Sequence, residues 1–115
     1  MITKRENLST VVKKQLKDGI GNTTILNITD QEGLNDKGRL FASFSLEPGS
    51  SIGKHTHVDE SEIYFILEGK GLVYDNGKEE TVTSGDVVIT KSGETHSIKN
   101  VGETTLNFIA LIVLD

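Results

Sequence analysis

The sequence predicts an all-β protein, a sandwich or barrel of short strands joined by tight turns. Twelve glycines stand against one proline in 115 residues, and Val, Ile, Thr and Phe are frequent. Strands favour β-branched and aromatic residues, whereas glycine supplies the turns between them. Turn signals recur along the chain at the short, regular spacing that is typical of antiparallel sandwiches and barrels.

Each predicted strand is a short run bounded by turn residues. Within residues 39–46, Leu40, Ala42 and Phe44 alternate with residues of the opposite face, as expected for a strand with one buried face. The Asn76–Gly77 step is a strong hairpin signal because both residues can adopt positive φ. The predicted strands are 39–46, 63–67, 71–74, 79–83, 87–90, 96–99 and 106–114.

The N-terminal third of the chain fits this pattern less well. Leu8, Val11, Val12 and Leu16 recur at helical spacing, which predicts a short helix or an irregular turn. Residues 33–38 form a polar loop. We therefore divide a single domain, residues 1–115, into N-terminal strands or an irregular arm at 1–38 and a barrel core at 39–115.

Composition and charge exclude several classes of function. The formal net charge is −5 and only two residues are arginine, so the basic surface that binds nucleic acid is absent. The longest apolar run, 108–114, is far shorter than the roughly 20 residues of a membrane span. Without cysteine the chain has no disulfide, thiolate ligand or thiol nucleophile. The first 17 residues lack the apolar segment of a signal peptide, so we expect a cytoplasmic protein.

The last predicted strand, residues 106–114, is apolar on both faces. Phe108 and Ala110 lie on one face, and Ile109 and Leu111 lie on the other. A strand with two apolar faces is covered on both sides. In so small a domain we expect the second cover to be another copy of the chain, which predicts a homodimer.

The three histidines and one glutamate can form a single metal site. His55 and His57 are one residue apart, so their imidazoles lie on the same face of a strand. Glu62 follows shortly, and His96 is the one remaining histidine. Imidazole nitrogen with one carboxylate suits divalent Mn, Fe, Co, Ni, Cu or Zn. Four such ligands leave an octahedral ion two open positions, whereas a tetrahedral zinc would be closed and structural.

Two gapped motifs contain these residues, and together they resemble the cupin family. In the first motif the fixed positions are separated by five, one, four and six residues, and in the second by five, one, two and three. The family has Pro where this chain has Lys91. The resemblance implies a small jelly-roll β-barrel with the four residues converging on one metal ion inside it. The fixed positions are Gly49, His55, His57, Glu62 and Gly69, then Gly85, Lys91, Gly93, His96 and Asn100.

The resemblance implies a metal-dependent enzyme for a small oxygenated or carboxylated organic molecule. Dioxygenases, decarboxylases, isomerases and lyases all occur among proteins of this kind, and the alternative is a metal- or metabolite-binding module without turnover. No catalytic residue can be assigned. Tyr64 lies two residues after Glu62, and Ile98 lies two residues after His96, so each side chain is on the same inward face of its strand as that ligand. We therefore place Tyr64 and Ile98 in the substrate pocket.

Two charged residues near the predicted site have alternative interpretations. Glu60 is interpreted as a solvated charge at the rim, or as a rival ligand if the strand register shifts. Arg39 could hold a substrate carboxylate in a bidentate contact. The apolar residues on the opposite face of its strand favour instead an exposed Arg39.

Overall fold

The computed structural model describes all residues 1–115 and contains ten strands and two short 3₁₀ turns. The turns are Arg5–Asn7 and Leu16–Asp18. No helix has the length and apolar character needed to cross a membrane. The strands are β1 (Thr10–Lys14), β2 (Asn22–Thr29), β3 (Gly38–Leu46), β4 (Ser51–Thr56), β5 (Glu60–Glu68), β6 (Lys70–Asp75), β7 (Lys78–Thr83), β8 (Val87–Thr90), β9 (Thr95–Asn100) and β10 (Leu106–Leu114).

The strands form two antiparallel sheets, and the predicted all-β jelly roll is confirmed. The larger sheet has the order β1-β2-β3-β10-β5-β8, and the smaller has the order β4-β9-β6-β7. The Asn76–Gly77 hairpin joins β6 to β7 as predicted, with φ of 46° and 100° at the two residues. Strands β8 and β10 have the predicted bounds.

The prediction of an N-terminal helix is wrong, because residues 10–14 form β1 and pair with β2. The β-branched Thr10, Val11 and Val12 favour extended backbone, and pairing with a neighbouring strand outweighs the helical spacing. The sequence analysis also missed β2, whose Thr23 and Ile25 are buried. Residues 1–38 thus contribute two strands to the larger sheet, and a boundary at residue 38 stays a prediction.

The core lies between the inner faces of the two sheets. Strand β10 runs between β3 and β5, and its Phe108 and Ala110 are fully buried. Phe108 stacks on Phe44 of β3 with ring centroids 5.4 Å apart. Ile98 of β9 packs into the same core from the smaller sheet. These contacts fix the distance between the sheets, and a group of polar side chains fills one part of the gap.

The opposite side of the larger sheet carries an apolar surface that no other part of the chain covers. Leu111 pairs with both Phe41 and Ile63 in register, and Ile109 pairs with Phe65. Phe65 is 44% exposed, and Val87 beside it is 54% exposed. We call this surface the outer apolar face. Its residues are Phe41, Ile63, Phe65, Val87, Ile89, Ile109, Leu111 and Val113.

Candidate metal centre

Three histidines and one glutamate converge between the two sheets. His55 lies in β4 directly opposite His96 in β9, and His57 follows the end of β4. A β-bulge between Ile52 and His55 changes the side-chain parity of β4, so both residues face the interior. Glu62 of β5 approaches from the larger sheet. The cluster therefore spans the interface between the sheets.

The donor atoms of these four side chains lie within 4.8 Å of one another and could hold a metal ion. His96 Nε2 is 2.9 Å from His55 Nε2 and 3.0 Å from His57 Nε2. Glu62 Oε1 is 3.0 Å from His57 Nε2 and 3.1 Å from His96 Nε2. One oxygen and three nitrogens thus surround a common point.

Each histidine is oriented by a hydrogen bond at its other ring nitrogen. His55 Nδ1 lies 2.7 Å from the Gly53 carbonyl oxygen, and His57 Nδ1 lies 2.7 Å from Glu60 Oε2. Both partners are acceptors, so each Nδ1 donates and the Nε2 of the neutral ring presents a lone pair to the centre. His96 Nδ1 is 2.7 Å from the Thr90 hydroxyl. Hydrogen bonds of this kind fix metal-ligating histidines in proteins.

The chemistry of the donor set fits a divalent transition metal. Neutral imidazoles with their lone pairs about 3 Å apart repel one another, and a shared cation removes that repulsion. Ligands at right angles, with bonds of about 2.1 Å, are about 3.0 Å apart, whereas tetrahedral ligands at the same bond length are about 3.4 Å apart. Four of the six donor separations, 2.9 to 3.1 Å, agree with the right-angle value, and all six are within 4.8 Å.

The electrostatics of the site keep its glutamate charged. Burial raises the pKa of Glu62, but hydrogen bonds with His57 and His96 outweigh it and lower the pKa to about 2. Burial lowers the pKa of His55, whereas the hydrogen bond with Glu62 raises the pKa of His57. At neutral pH Glu62 is therefore a carboxylate and His55 is neutral, the protonation states that metal ligation requires.

Glu60 is not the solvated rim charge that one interpretation of the sequence assigned to it. Its side chain is only 12% exposed and contacts His57 at 2.7 Å. Arg39 donates from Nε to Glu60 Oε1 and from Nη2 to Glu60 Oε2, both at 2.7 Å. The hydrogen bond from Arg39 is the main reason that the pKa of Glu60 falls to about 2. Arg39 thus fixes Glu60, and Glu60 in turn fixes His57.

A cavity of about 300 Å³ opens beside the cluster and includes three of its four residues, His55, His57 and Glu62, in its wall. Tyr64 also lines it, and its ring stacks on His96 with centroids 5.1 Å apart. Burial raises the pKa of the Tyr64 hydroxyl well above its usual value, so the phenol stays neutral. Ile98 is 1% exposed in the core and does not line this cavity.

Several residues that border the site were not predicted from the sequence. Thr90 contacts His96 because it pairs in register with Glu62, a relation that depends on the sheet topology. Leu16 and Lys17 reach the cavity from the N-terminal turn. No sequence signal marks these three residues, since strand order and turn placement bring them to the site.

The family model described as "Cupin domain" matches residues 42–112 of this chain, a stretch that contains all four clustered residues. The match covers more than half of the chain. This protein belongs to the cupin family. The resemblance seen in the two sequence motifs is therefore confirmed.

Relatives of this cupin extend the similarity over the whole chain. A Thermotoga maritima protein called "Oxalate-binding protein" is 41% identical over 114 residues, covering 99% of this chain and 94% of the relative. A crystal structure described as a predicted oxalate decarboxylase from the same organism has a TM-score of 0.95 and 41% identity, with full coverage of both chains. A cupin-2 domain from Rhodospirillum rubrum has a TM-score of 0.77 at 16% identity, covering 100% of this chain and 75% of its own, and shows the fold alone.

Proposed function

We propose that this cupin binds one divalent transition metal ion through His55, His57, Glu62 and His96 and uses the ion to bind a small organic acid. The convergence of three oriented histidine nitrogens with a buried carboxylate carries the proposal. The ion would supply a Lewis acid beside the cavity. Its identity among Mn, Fe, Co, Ni, Cu and Zn is left open by the donor set.

An organic acid of the oxalate class is the ligand that we propose. The Thermotoga maritima relative called "Oxalate-binding protein" and the structure described as a predicted oxalate decarboxylase from the same organism are each 41% identical to this chain. A carboxylate oxygen is a hard donor that binds divalent ions readily. Arg39, a cationic residue of the cavity wall, also favours an anion there.

Binding without turnover ranks first, and decarboxylation of the bound acid is the second candidate. Glu60 is held by both Arg39 and His57 and its pKa is about 2, so it is a poor general acid or base near neutral pH. One observation favours turnover. Tyr64 keeps a neutral hydroxyl beside the Glu62 carboxylate at the cavity wall, and this hydroxyl could donate to a substrate oxygen in place of Glu62.

Metal content and ligand binding test the proposal directly. Replacement of His57 by Ala removes one ligand and should lower stoichiometric metal content several-fold or more, as measured by elemental analysis. Thr56→Ala is the matched control because Thr56 is adjacent and contacts Thr95 rather than the cluster. Calorimetry should then detect oxalate binding to metal-loaded protein and none after chelation. Protein that takes up none of the six metals contradicts the proposal.

A direct assay separates the two candidate functions. Metal-loaded protein is incubated with oxalate, and formate and carbon dioxide are measured. Binding with no product supports a binding protein, whereas formate production that is lost in Tyr64→Phe supports the second candidate. Tyr64→Phe keeps the ring that stacks on His96 and removes only the hydroxyl.

We further propose that the outer apolar face pairs two copies of the chain into a homodimer. The chain exposes 6904 Å², whereas a compact monomer of 12.5 kDa has roughly 6,200 Å². Phe65, Val87 and Ile89 each have more than two fifths of their surface exposed. A contiguous apolar surface with this exposure is unusual in a monomeric protein. A cytoplasmic location stays a prediction.

A further inference from the structure

Two cationic residues, Arg39 and Lys17, line the cavity beside the metal centre. Arg39 holds Glu60 with Nε and Nη2, and its Nη1 forms no hydrogen bond within the protein. A guanidinium group has a second donor edge, formed by Nη1 and the remaining hydrogen of Nη2, which can bind another carboxylate. Because Glu60 fixes the first edge, the second edge is presented in a defined orientation. Arg39 lines the cavity, and its side chain is 47% exposed.

Lys17 is the second cation, and it forms no ion pair with any acidic residue of the chain. It belongs to residues 15–19, which we call the Lys17 turn. Three residues of this turn that are not glycine have left-handed backbone: Gln15, Lys17 and Asp18, with φ of 49°, 54° and 63°. Such conformations cost about 1 kcal/mol or more each and persist where the surroundings impose them.

Contacts with β4 hold the Lys17 turn in this strained form. A methyl group on Gly53 would overlap the Lys17 carbonyl oxygen, so the turn lies directly against the strand. Ser51 N donates to the Ile20 carbonyl at 2.8 Å, and Ile20 N donates to the Ser51 hydroxyl at 2.9 Å. Leu16 packs against the core. Lys17 is thereby fixed to the strand that carries His55.

The charges and the size of the cavity indicate a dianion larger than oxalate. Among the charged side chains of the wall, Lys17 and Arg39 balance Glu60 and Glu62, so a divalent ion leaves two positive charges. A cavity of about 300 Å³ reaches the lower end of the range that holds drug-sized ligands, about 300–1,000 Å³. Its wall also contains Ile25, Leu40 and Phe44, which suit a short hydrocarbon segment.

We propose that Lys17 and the second edge of Arg39 form a distal anion-binding point, so that the cavity accepts a dicarboxylate whose two carboxylates are separated by carbon. One carboxylate lies at the metal centre and the other lies between the two cations. This inference rests on the proposed function, because it assumes that the metal centre binds the first carboxylate. Oxalate, whose two carboxylates are joined directly, binds at the metal centre without using the distal point.

Calorimetry with matched acids tests the distal point. Mn²⁺-loaded protein, or Ni²⁺-loaded protein if Mn²⁺ is not taken up, is titrated with succinate, butyrate and oxalate. Succinate and butyrate have the same carbon chain and differ in the second carboxylate. Wild-type protein should prefer succinate over butyrate by about tenfold or more, as expected for a charge-assisted contact. Lys17→Gln should remove most of that preference and leave oxalate affinity unchanged, and Lys17→Arg should restore it.

The control variant is Lys13→Gln, which removes the same charge from β1 at a residue outside the cavity wall. It should keep the preference for succinate, and elemental analysis should show equal metal content in every variant. Equal affinity for succinate and butyrate in wild-type protein, with oxalate still bound, overturns the distal point and leaves the proposed function intact. Failure of every acid, oxalate included, to bind the metal-loaded protein overturns both.

Discussion

At the scale of single residues, the site is defined by the orientation of each histidine. The Nδ1 atoms contact a carbonyl, a carboxylate and a hydroxyl, and the Nε2 atoms point to one centre. Glu60 matters most among these partners, because it is charged and is held by Arg39. A carboxylate on the far nitrogen of a ligating imidazole also makes that imidazole a stronger donor.

Substitution of Glu60 by Gln should weaken metal binding about 10- to 100-fold, the usual effect of losing such a partner. The neutral amide lacks the negative charge and has one accepting oxygen, so it cannot accept all three hydrogen bonds, two from Arg39 and one from His57, that the carboxylate accepts. Competition with a chromophoric chelator measures the affinity. Glu68→Gln is the control, since Glu68 lies at the end of the same strand and is exposed. Equal affinities in the two variants would show that Glu60 does not orient His57.

Metal affinity should decrease as the pH is lowered. The decrease should already begin above pH ~6.5, the reference pKa of imidazole. The hydrogen bond with Glu62 raises the pKa of His57 in the metal-free protein, so a proton competes for Nε2 already above that pH. Glu62, with its pKa lowered to about 2, stays charged over the whole range and contributes no decline. Chelator competition between pH 8 and pH 5 measures this, and affinity that is constant to pH 5 contradicts ligation by histidine.

The four clustered residues could be predicted from the sequence, whereas their partners could not. The spacing of His55 and His57 follows from strand parity alone, and two motifs add Glu62 and His96. Glu60 resembled an ordinary surface charge, because its link to Arg39 depends on contact between strands far apart in sequence. That the four residues bind metal in solution, and that Tyr64 and Ile98 serve a substrate, stay predictions.

At the scale of elements, β4 connects the metal centre to the Lys17 turn. Its bulge turns His55 inward, and the absence of a side chain at Gly53 allows the Lys17 turn to lie against the strand. Gly53 also provides the carbonyl that orients His55. One short strand therefore positions one residue of the cluster and one side of the cavity.

Replacement of Gly53 by Ala should lower the free energy of unfolding by about 1–3 kcal/mol, as overpacking usually does. The added methyl would overlap the Lys17 carbonyl, a backbone atom that cannot rotate away. Thermal unfolding followed by circular dichroism measures the change, and metal content should fall as His55 loses its partner. An unchanged midpoint would show that the Lys17 turn is free to leave β4.

The elements that the sequence predicted best are those with strong turn signals. Strands β8 and β10 are bounded by turn residues and were predicted to the residue. Strands β1 and β2 were missed or misread because short apolar spacing fits helix and strand alike, and only pairing with β3 and its neighbours decides between them. Tertiary pairing is not visible in a single segment.

At the scale of the whole molecule, the larger sheet has one face in the core and one face uncovered. From the two apolar faces of β10 the sequence predicted a second cover, another copy of the chain, and the structure places β10 between β3 and β5 of the larger sheet. The chain therefore leaves the outer apolar face exposed across four adjacent strands. Such a face favours association, since its burial removes apolar surface from water. The homodimer itself stays a prediction.

Phe65→Glu should convert a wild-type dimer to a monomer, because the new carboxylate would be buried between Ile109 and Val87 of the interface without a partner. In the monomer the position is 44% exposed, so the fold and the metal content should be retained. Val101→Glu is the control, with a similar exposure of 41% in the turn after β9, and it should remain dimeric. Sedimentation velocity at micromolar concentration separates the states. A monomeric wild-type protein would show that no homodimer forms. A Phe65→Glu variant that stays dimeric would show that the two copies make contact at another surface.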